Sequence, residues 1–425
     1  MKEWGKIFSN PWRLLIGTAA ILTTVGFVVD LKATLTSGGI DLRNRIVGAR
    51  LMQAALDPYH FKWTPGEPEI WLDPLDKPES PITRTSVPPS VLAALTPIAS
   101  LPYRYIRLLW LAVQWGCLLG TLFLLSKCTT SKEKAYLVWS VGLLFSLSYS
   151  WRNHVEVGQI YIIYSFFIAL AHFLMFKFHV SGKILGGALL GTTASMKLPL
   201  LIVLIPMFIF RRWRILSGFL IGVLVAVGGS IFMGGAEVWE NYFSAMRVHG
   251  FIEYSWEMLP KAVYPERIEG MTNLLKHLSG SPDTSMLGLF NKYFEVNIST
   301  VLMPVVIIIS LFAALFLWKN RKKQPSISLI FLIGLVFVFI ADFFLPGPRY
   351  GYQDVIWILL LGMIIVNSGA IRGFIEPPSM LVIISFFLSF SLTWLPFRGY
   401  IAQASMVLYV AFKTLEFLKK SPDMG

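Results

Sequence analysis

Charge is what this chain has least of. Asp, Glu, Lys and Arg make up 14% of its 425 residues, against roughly 25% in a soluble domain. So few charges cannot cover a soluble surface, and 55% hydrophobic residues exclude a disordered chain. Cysteine is nearly absent as well. Cys117 and Cys128, on or just after one apolar segment, are too few and too badly placed for a disulfide framework or a metal cluster. Walker, HExxH, CxxC and dinucleotide-binding patterns are all missing, so nothing in the chain suits ATP or a nucleotide sugar. Group transfer would have to draw on an activated donor already in the membrane. The start lacks a small-residue cleavage site: Lys2, Lys6 and Arg13 lead directly into an apolar run, which reads as a retained first span.

What is present is apolar sequence with tight polar punctuation, at a mean hydropathy of +0.63. Runs fall at about 13–30, 106–126, 135–150, 159–177, 183–196, 198–210, 214–235, 299–318, 327–345, 353–368, 377–395 and 400–417. This predicts an all-α polytopic membrane protein of about twelve transmembrane helices, several of them short of the ~20 residues a straight crossing needs. Long polar stretches occur at about 31–105 and 236–298. The net charge of +13 belongs to topology rather than to nucleic acid. With a cytoplasmic N-terminus, the inner loops hold 19 Lys and Arg against 5 acids and the outer loops 18 against 19, the asymmetry that orients membrane proteins. Both termini and Arg211 to Arg214 are then inside, and both long loops outside.

Two segments break the pattern. The stretch 87–102, interrupted by prolines, reads as a re-entrant or interfacial helix on the outer side, because proline removes a donor and clashes with the preceding turn. Lys197 and Pro199 sit midway along 28 apolar residues. One long helix would bury the ammonium at ~3 kcal/mol or more, so two short helices meeting at the outer side are expected.

Four places carry candidate chemistry. Asp41 follows the first span among Arg43, Arg45 and Arg50, and from Arg43 onward the pattern is helical, with Ile46, Leu51 and Ala54 to Leu56 on one side. Such a carboxylate could deprotonate a hydroxyl that attacks an activated sugar; the plainer alternative is pairing with Arg43 or Arg45. Asp57, in Asp57-Pro58-Tyr59-His60, is the reserve base, although this context resembles a helix end. The turn Trp151 to Gln159 offers His154 and Gln159 as sugar-binding groups or as a polar helix–helix turn. Lys197 suits a lipid phosphate. Arg349, among Tyr350 and Tyr352, could clamp a phosphate bidentately or simply pair with Asp354. The aromatics of loop 236–298 (Trp239, Tyr242, Tyr254, Trp256) suit the headgroup level.

Taken in order, several pieces resemble the GT-C superfamily of integral-membrane glycosyltransferases, most closely glycosyltransferase family 87, the polyprenyl-phosphate-mannose-dependent mannosyltransferases. They are Asp41 with its Ala/Leu-rich helix, Asp57-Pro58-Tyr59, Pro88-Pro89 with the short apolar helix, and the Gly158-Gln159 turn. Gly186 to Pro206 with its single Lys197, the RRWR turn, and Trp239/Tyr242 complete the set. The resemblance implies a GT-C fold with a seven-span module over 1–235, a large outer loop over 236–298 and a variable five-span module over 299–425. It implies inverting, metal-independent transfer of a hexose, mannose first, from a polyprenyl-phosphate donor to a lipid or glycan acceptor, without a cofactor. The reaction would take place on the outer face of a bacterial plasma membrane. Asp41 would be the base, Lys197 and Arg349 would face the lipid phosphate, and Arg45, Asp57, Tyr59, His154, Gln159, Tyr350 and Tyr352 would line the substrate. One departure is visible: where family members often carry a His, this loop reads Arg349-Tyr350-Gly351-Tyr352-Gln353-Asp354. Two other classes share the layout. A lipid-linked oligosaccharide polymerase or ligase would lean on arginines more than on one carboxylate. A transporter would show internal repeats, whereas here the polar sequence is concentrated after the first and seventh spans.

Overall fold

A computed structural model describes residues 11–36, 38–249, 290, 299–344, 349–371, 374–391 and 398–420. Lys2, Lys6, Tyr254, Trp256, Pro346 to Pro348 and Arg372 lie outside the described residues. The helices in chain order are α1 Pro11–Thr36, α2 Ile40–Gln53, α3 Pro89–Ala99, α4 Tyr103–Lys127, α5 Lys132–Phe145, α6 Tyr149–Val157, α7 Tyr161–Lys177 and α8 Val180–Met196. After a 3-10 turn at Leu198–Val203 come α9 Leu204–Ile209, α10 Trp213–Gly234, α11 Glu237–His249, α12 Ser299–Lys319 and α13 Ile327–Phe344. A further 3-10 turn, Gly351–Ile356, leads into α14 Trp357–Asn367, then α15 Pro377–Ser391 and α16 Arg398–Lys420; another, Glu69–Trp71, lies between α2 and α3. Among the described residues the strands are one small antiparallel pair, Ala370–Ile371 with Phe374–Ile375, and the stretch 54–88 is mostly turn and loop.

Every apolar run becomes a helix or part of one, yet few are long. Among the described residues four helices are long and apolar enough to cross a membrane: Pro11–Thr36, Tyr103–Lys127, Trp213–Gly234 and Tyr400–Lys420. A fifth arises if α6 and α7, bent by 108°, count as one broken span. Six shorter apolar helices, of 10–17 residues, stand beside them, in line with the expectation that several of the twelve runs are short of a straight crossing. Hydropathy counts apolar residues but does not see where a backbone turns. Gly158 ends α6 in the left-handed conformation, φ 74°; the break expected at Lys197 is present, where extended backbone ends α8. The short helix expected in 87–102 is α3, 11 residues or ~17 Å, about half of a ~30 Å hydrocarbon layer. The expected helix after Asp41 starts earlier and stops sooner: α2 ends at Gln53, and Ala55 turns back with φ 55°, leaving Ala54 to Leu56 in a turn.

Packing explains why short helices hold. Trp357 to Val366 of α14 are buried all round, as a helix without a polar face must be. It forms the centre of the main core with α13. Helices α8 and α10 approach through paired glycines four residues apart. A Cβ on Gly187 or Gly191 would lie 2.2 or 2.0 Å from the carbonyl oxygen of Ile215 or Phe219, and one on Gly222 would lie 1.9 Å from that of Ala188. Small residues at this spacing let helices meet backbone to backbone. On α2, Leu42, Ile46 and Ala49 form an i, i+4, i+7 stripe against Val91, Leu95 and Ala99 of α3 and Ile106 and Trp110 of α4. Arg50 fastens the pair, donating to the carbonyls of Ala99 at 2.7 Å and Leu101 at 3.1 Å. The result is a rigid shelf of α2 and α3 at one end of the bundle. The loops from α6 to α7, from α8 to α9 and before α14 meet at that end.

Candidate functional site

The shelf fixes Asp41 in the first turn of α2. Gly39 caps that helix at φ 58°, a left-handed conformation that favours glycine, and a Cβ there would press on the Arg107 side chain, 2.6 Å from Nη1. The Tyr103 hydroxyl reaches the carbonyls of Gly38 and Gly39 at 2.8 and 2.9 Å, which pins the segment. Gly158 meets it from the other side, where a Cβ would lie 2.6 Å from Leu42 Cβ. The end of α6 therefore abuts the start of α2, and the next residue, Gln159, is delivered to Asp41.

There Gln159 Nε2 donates to Asp41 Oδ2. Its Oε1 accepts from Arg45 Nη2 at 2.6 Å, while Arg45 Nη1 donates to the Gly158 carbonyl at 3.1 Å. The Gln159 backbone carbonyl is held in turn by Gln114 Nε2 at 3.0 Å and Trp110 Nε1 at 3.3 Å. Asp41 thus touches Arg45 through an amide relay rather than as the close ion pair that was the plainer expectation. Burial pushes its carboxyl above the ordinary range, against the pull of Arg45, Arg84 and the Gln159 amide. A carboxylate raised in this way is a better proton acceptor near neutrality than a solvated one.

A wall of tyrosines leads away from Asp41. Tyr352 lies 6.1 Å from Tyr161 and 5.5 Å from Tyr350, centroid to centroid. Burial first, then the negative charge of Asp41, raises the Tyr352 phenol. Tyr161 carries Lys197 on its face, with Nζ 4.3 Å from the ring centre. Lys197 then pairs with Asp342 at 3.3 Å, Asp342 with Arg349 at 3.2 Å, and Arg349 with Asp354 at 2.7 Å. Each charge in this row has a counter-charge, as burial requires. The expected Arg349–Asp354 pair is present, and Asp342 adds a second acid that links Arg349 to Lys197.

Asp41, Arg45, Gln159, Tyr350, Tyr352, Lys197 and Arg349 therefore share one end of the bundle as two contact groups, Asp41 with Gln159 and Arg45 and Tyr350 and Tyr352 with Lys197 and Arg349 through Tyr161 and Asp342, coupled by the charge of Asp41 acting on Tyr352. Three other sequence candidates do not face it. His154 is fully buried. Its Nδ1 lies 3.2 Å from Gln114 Nε2, and its Nε2 accepts from the Ile162 amide at 3.4 Å, so the ring braces the α6–α7 turn. Asp57 accepts from the Tyr59 amide at 2.9 Å and meets His60 at 2.8 Å, an Asx turn. Tyr59 is fully buried, with its hydroxyl on the Val87 carbonyl at 2.9 Å and its ring 5.5 Å from Tyr242. Two residues went unremarked in the sequence, Asp342 and Tyr161. Asp342 had the same signal as Lys197, a lone charge in an apolar run. Among the described residues no three His, Cys, Asp or Glu side chains gather to hold a metal.

The family model of glycosyltransferase family 87 matches residues 87–341, more than half of the chain. That stretch takes in Gln159, Tyr161 and Lys197, and Asp41 and Arg349 lie on either side of it. No curated protein and no solved structure matches the chain. The match and the apolar helices agree with each other: the chain belongs to glycosyltransferase family 87 and is a membrane glycosyltransferase.

Proposed function

We propose that the enzyme moves a hexose, mannose first, from a polyprenyl-phosphate donor to a lipid or glycan acceptor, with inversion, on the outer face of a bacterial plasma membrane. The observation that carries this reading is the run from Asp41 along the tyrosine wall to Lys197 and Arg349. It sets one raised carboxylate and two cations at the same end of a lipid-facing bundle. Asp41, as carboxylate, takes the proton of the acceptor hydroxyl while that oxygen forms a bond to the anomeric carbon. The bond from the anomeric carbon to the phosphate oxygen breaks on the opposite face, and its electron pair leaves with the polyprenyl phosphate. Phosphate is a good leaving group, so one carboxylate suffices where glycoside hydrolases need two. Lys197 and Arg349 stabilise the departing charge. Asp342 pairs with both, so an incoming phosphate competes with Asp342 for them.

The positive-inside charge split supports the outer placement. The direct experiment incubates the purified protein in lipid vesicles with polyprenyl-phosphate mannose, polyprenyl-phosphate glucose and a set of glycolipid acceptors, followed by chromatography of the products. A β-to-α or α-to-β inverted hexoside from one of these donors is expected. Hydrolysis or transfer only from polyprenyl diphosphate donors would replace this reading with an oligosaccharide polymerase or ligase.

A further inference from the structure

Loop 1, residues 54–88 between α2 and α3, builds a concavity that the transfer step above does not use. It lies between residues 61–85 and the flank of α2, a shallow cleft open to solvent whose accessible interior is about 30 Å³. Phe61, Trp63 and Trp71 line one part, and Asp73, Asp76 and Arg84 line another. Phe61 and Trp71 brace each other edge to face at 6.0 Å.

The polar groups narrow the ligand class. Lys62 donates to Asp76 Oδ1 at 2.8 Å and to the carbonyls of Lys77 and Ile82, both at 2.9 Å, so all three ammonium donors are spent inside the loop. Asp73 is 8% exposed. Its Oδ1 accepts from the Leu75 amide at 3.2 Å, but its Oδ2 accepts no hydrogen bond and has only Arg84 Nη1 at 3.7 Å. A buried carboxylate oxygen in that condition costs free energy until a donor arrives. Two carboxylates facing the cleft repel a phosphate, and Lys62 and Arg84 beside them oppose a cation. What remains is a neutral ligand rich in hydroxyl donors with an apolar face for indole rings. Asp73 and Arg84 are also near enough for their charges to act on Asp41, and Val47 on the cleft wall is ~9 Å along α2 from Asp41.

We propose that this cleft is the acceptor subsite and takes a hexopyranose unit of the glycan or glycolipid acceptor, with hydroxyls donating to Asp73 and Asp76 and the ring against Trp63 and Trp71. The proposal rests on the glycosyl-transfer reading, and its test separates the two. Saturation-transfer NMR on the full chain in micelles would use methyl α-D-mannopyranoside and methyl α-D-glucopyranoside as probes. Transfer to at least one glycoside is expected for the unaltered chain and equally for Asp41→Asn. It should fall about 10-fold or more in Asp73→Asn, which keeps the turn to Leu75, and in Trp71→Leu. In the transfer assay, Asp73→Asn should raise the acceptor KM by a similar factor with kcat and donor KM kept. Absence of saturation transfer to either glycoside in the unaltered chain would overturn the cleft, as would undiminished transfer in both variants when their thermal melts match the unaltered protein. An active Asp41→Asn would instead overturn the base and leave the cleft standing.

Discussion

Replacing Gln159 by Leu tests whether the amide relay tunes Asp41. In the native site the Gln159 amide donates to Asp41 while Arg45 holds its other end at 2.6 Å, so the contact stabilises the carboxylate form. Leucine has similar bulk and no donor. A hydrogen bond to a charged group is worth ~1.5–3 kcal/mol, and each ~1.4 kcal/mol is a factor of ten in the protonation equilibrium. The sign follows from the chemistry: the base works only when deprotonated, and burial already raises its pKa while Gln159 lowers it. Without Gln159 the pKa rises further, so the acid limb of the kcat/KM profile moves to higher pH. At a fixed pH on that limb, turnover falls roughly 10- to 100-fold, while the alkaline plateau changes much less. The assay is initial-rate transfer across a pH series, with donor saturation checked at each point. A uniform loss at every pH, with the limb unmoved, would show that Gln159 only props the turn. A limb moved to lower pH would show that Arg45 had closed directly on Asp41, and would refute the relay.

Three further outcomes follow from the same geometry. Lys197→Met should raise the donor KM about 10-fold or more and leave the fold intact, because Asp342 keeps Arg349 at 3.2 Å; an unchanged donor KM would show that the lysine merely balances Asp342. Gly222→Val should lower the thermal midpoint sharply or abolish folded yield, since even a Cβ would lie 1.9 Å from the Ala188 carbonyl oxygen, and a native melting curve would refute the glycine contact. In a chain whose Cys117 and Cys128 are replaced, a cysteine at Glu67 should react with an impermeant maleimide in intact cells and one at Lys322 only after permeabilisation; the reverse pattern would invert the topology.

The residues that sequence reasoning found and those it missed differ in a physical way. Lys197 stood out because an ammonium in apolar sequence must find a partner, and the helix does break there. The partner itself, Asp342, is 145 residues away, and hydropathy carries no information about which helices meet. Asp41 and Gln159, 118 residues apart, were legible as polar groups at helix ends. Their contact depends on Gly39 and Gly158 in left-handed conformations, which nothing in the periodicity announces. His154, Asp57 and Tyr59 looked like ligand groups because polar residues in turns serve structure as often as chemistry, and the two uses have the same composition. Hydropathy is equally silent about how each apolar run bends and packs. Residues 151–159 read as a turn, where the chain forms most of α6 and then bends by 108° into α7, and α14, buried from Trp357 to Val366, read as part of an ordinary apolar run. In loop 1, Asp73 and Arg84 drew no notice, since their burial is created by the loop's own folding.

The most direct test of the account is Asp41→Asn in the vesicle transfer assay, with Asp57→Asn beside it. Asparagine is nearly isosteric and still accepts from Gln159 if its amide oxygen takes that place, but it cannot accept a proton. General-base catalysis is typically worth ~10²–10⁴ in rate, so kcat should fall by about that factor in Asp41→Asn with donor binding unchanged, while Asp57→Asn, confined to its turn with Tyr59 and His60, stays near full activity. Near-normal turnover in Asp41→Asn would contradict the account, and an inactive Asp57→Asn in the same assay would move the base into loop 1.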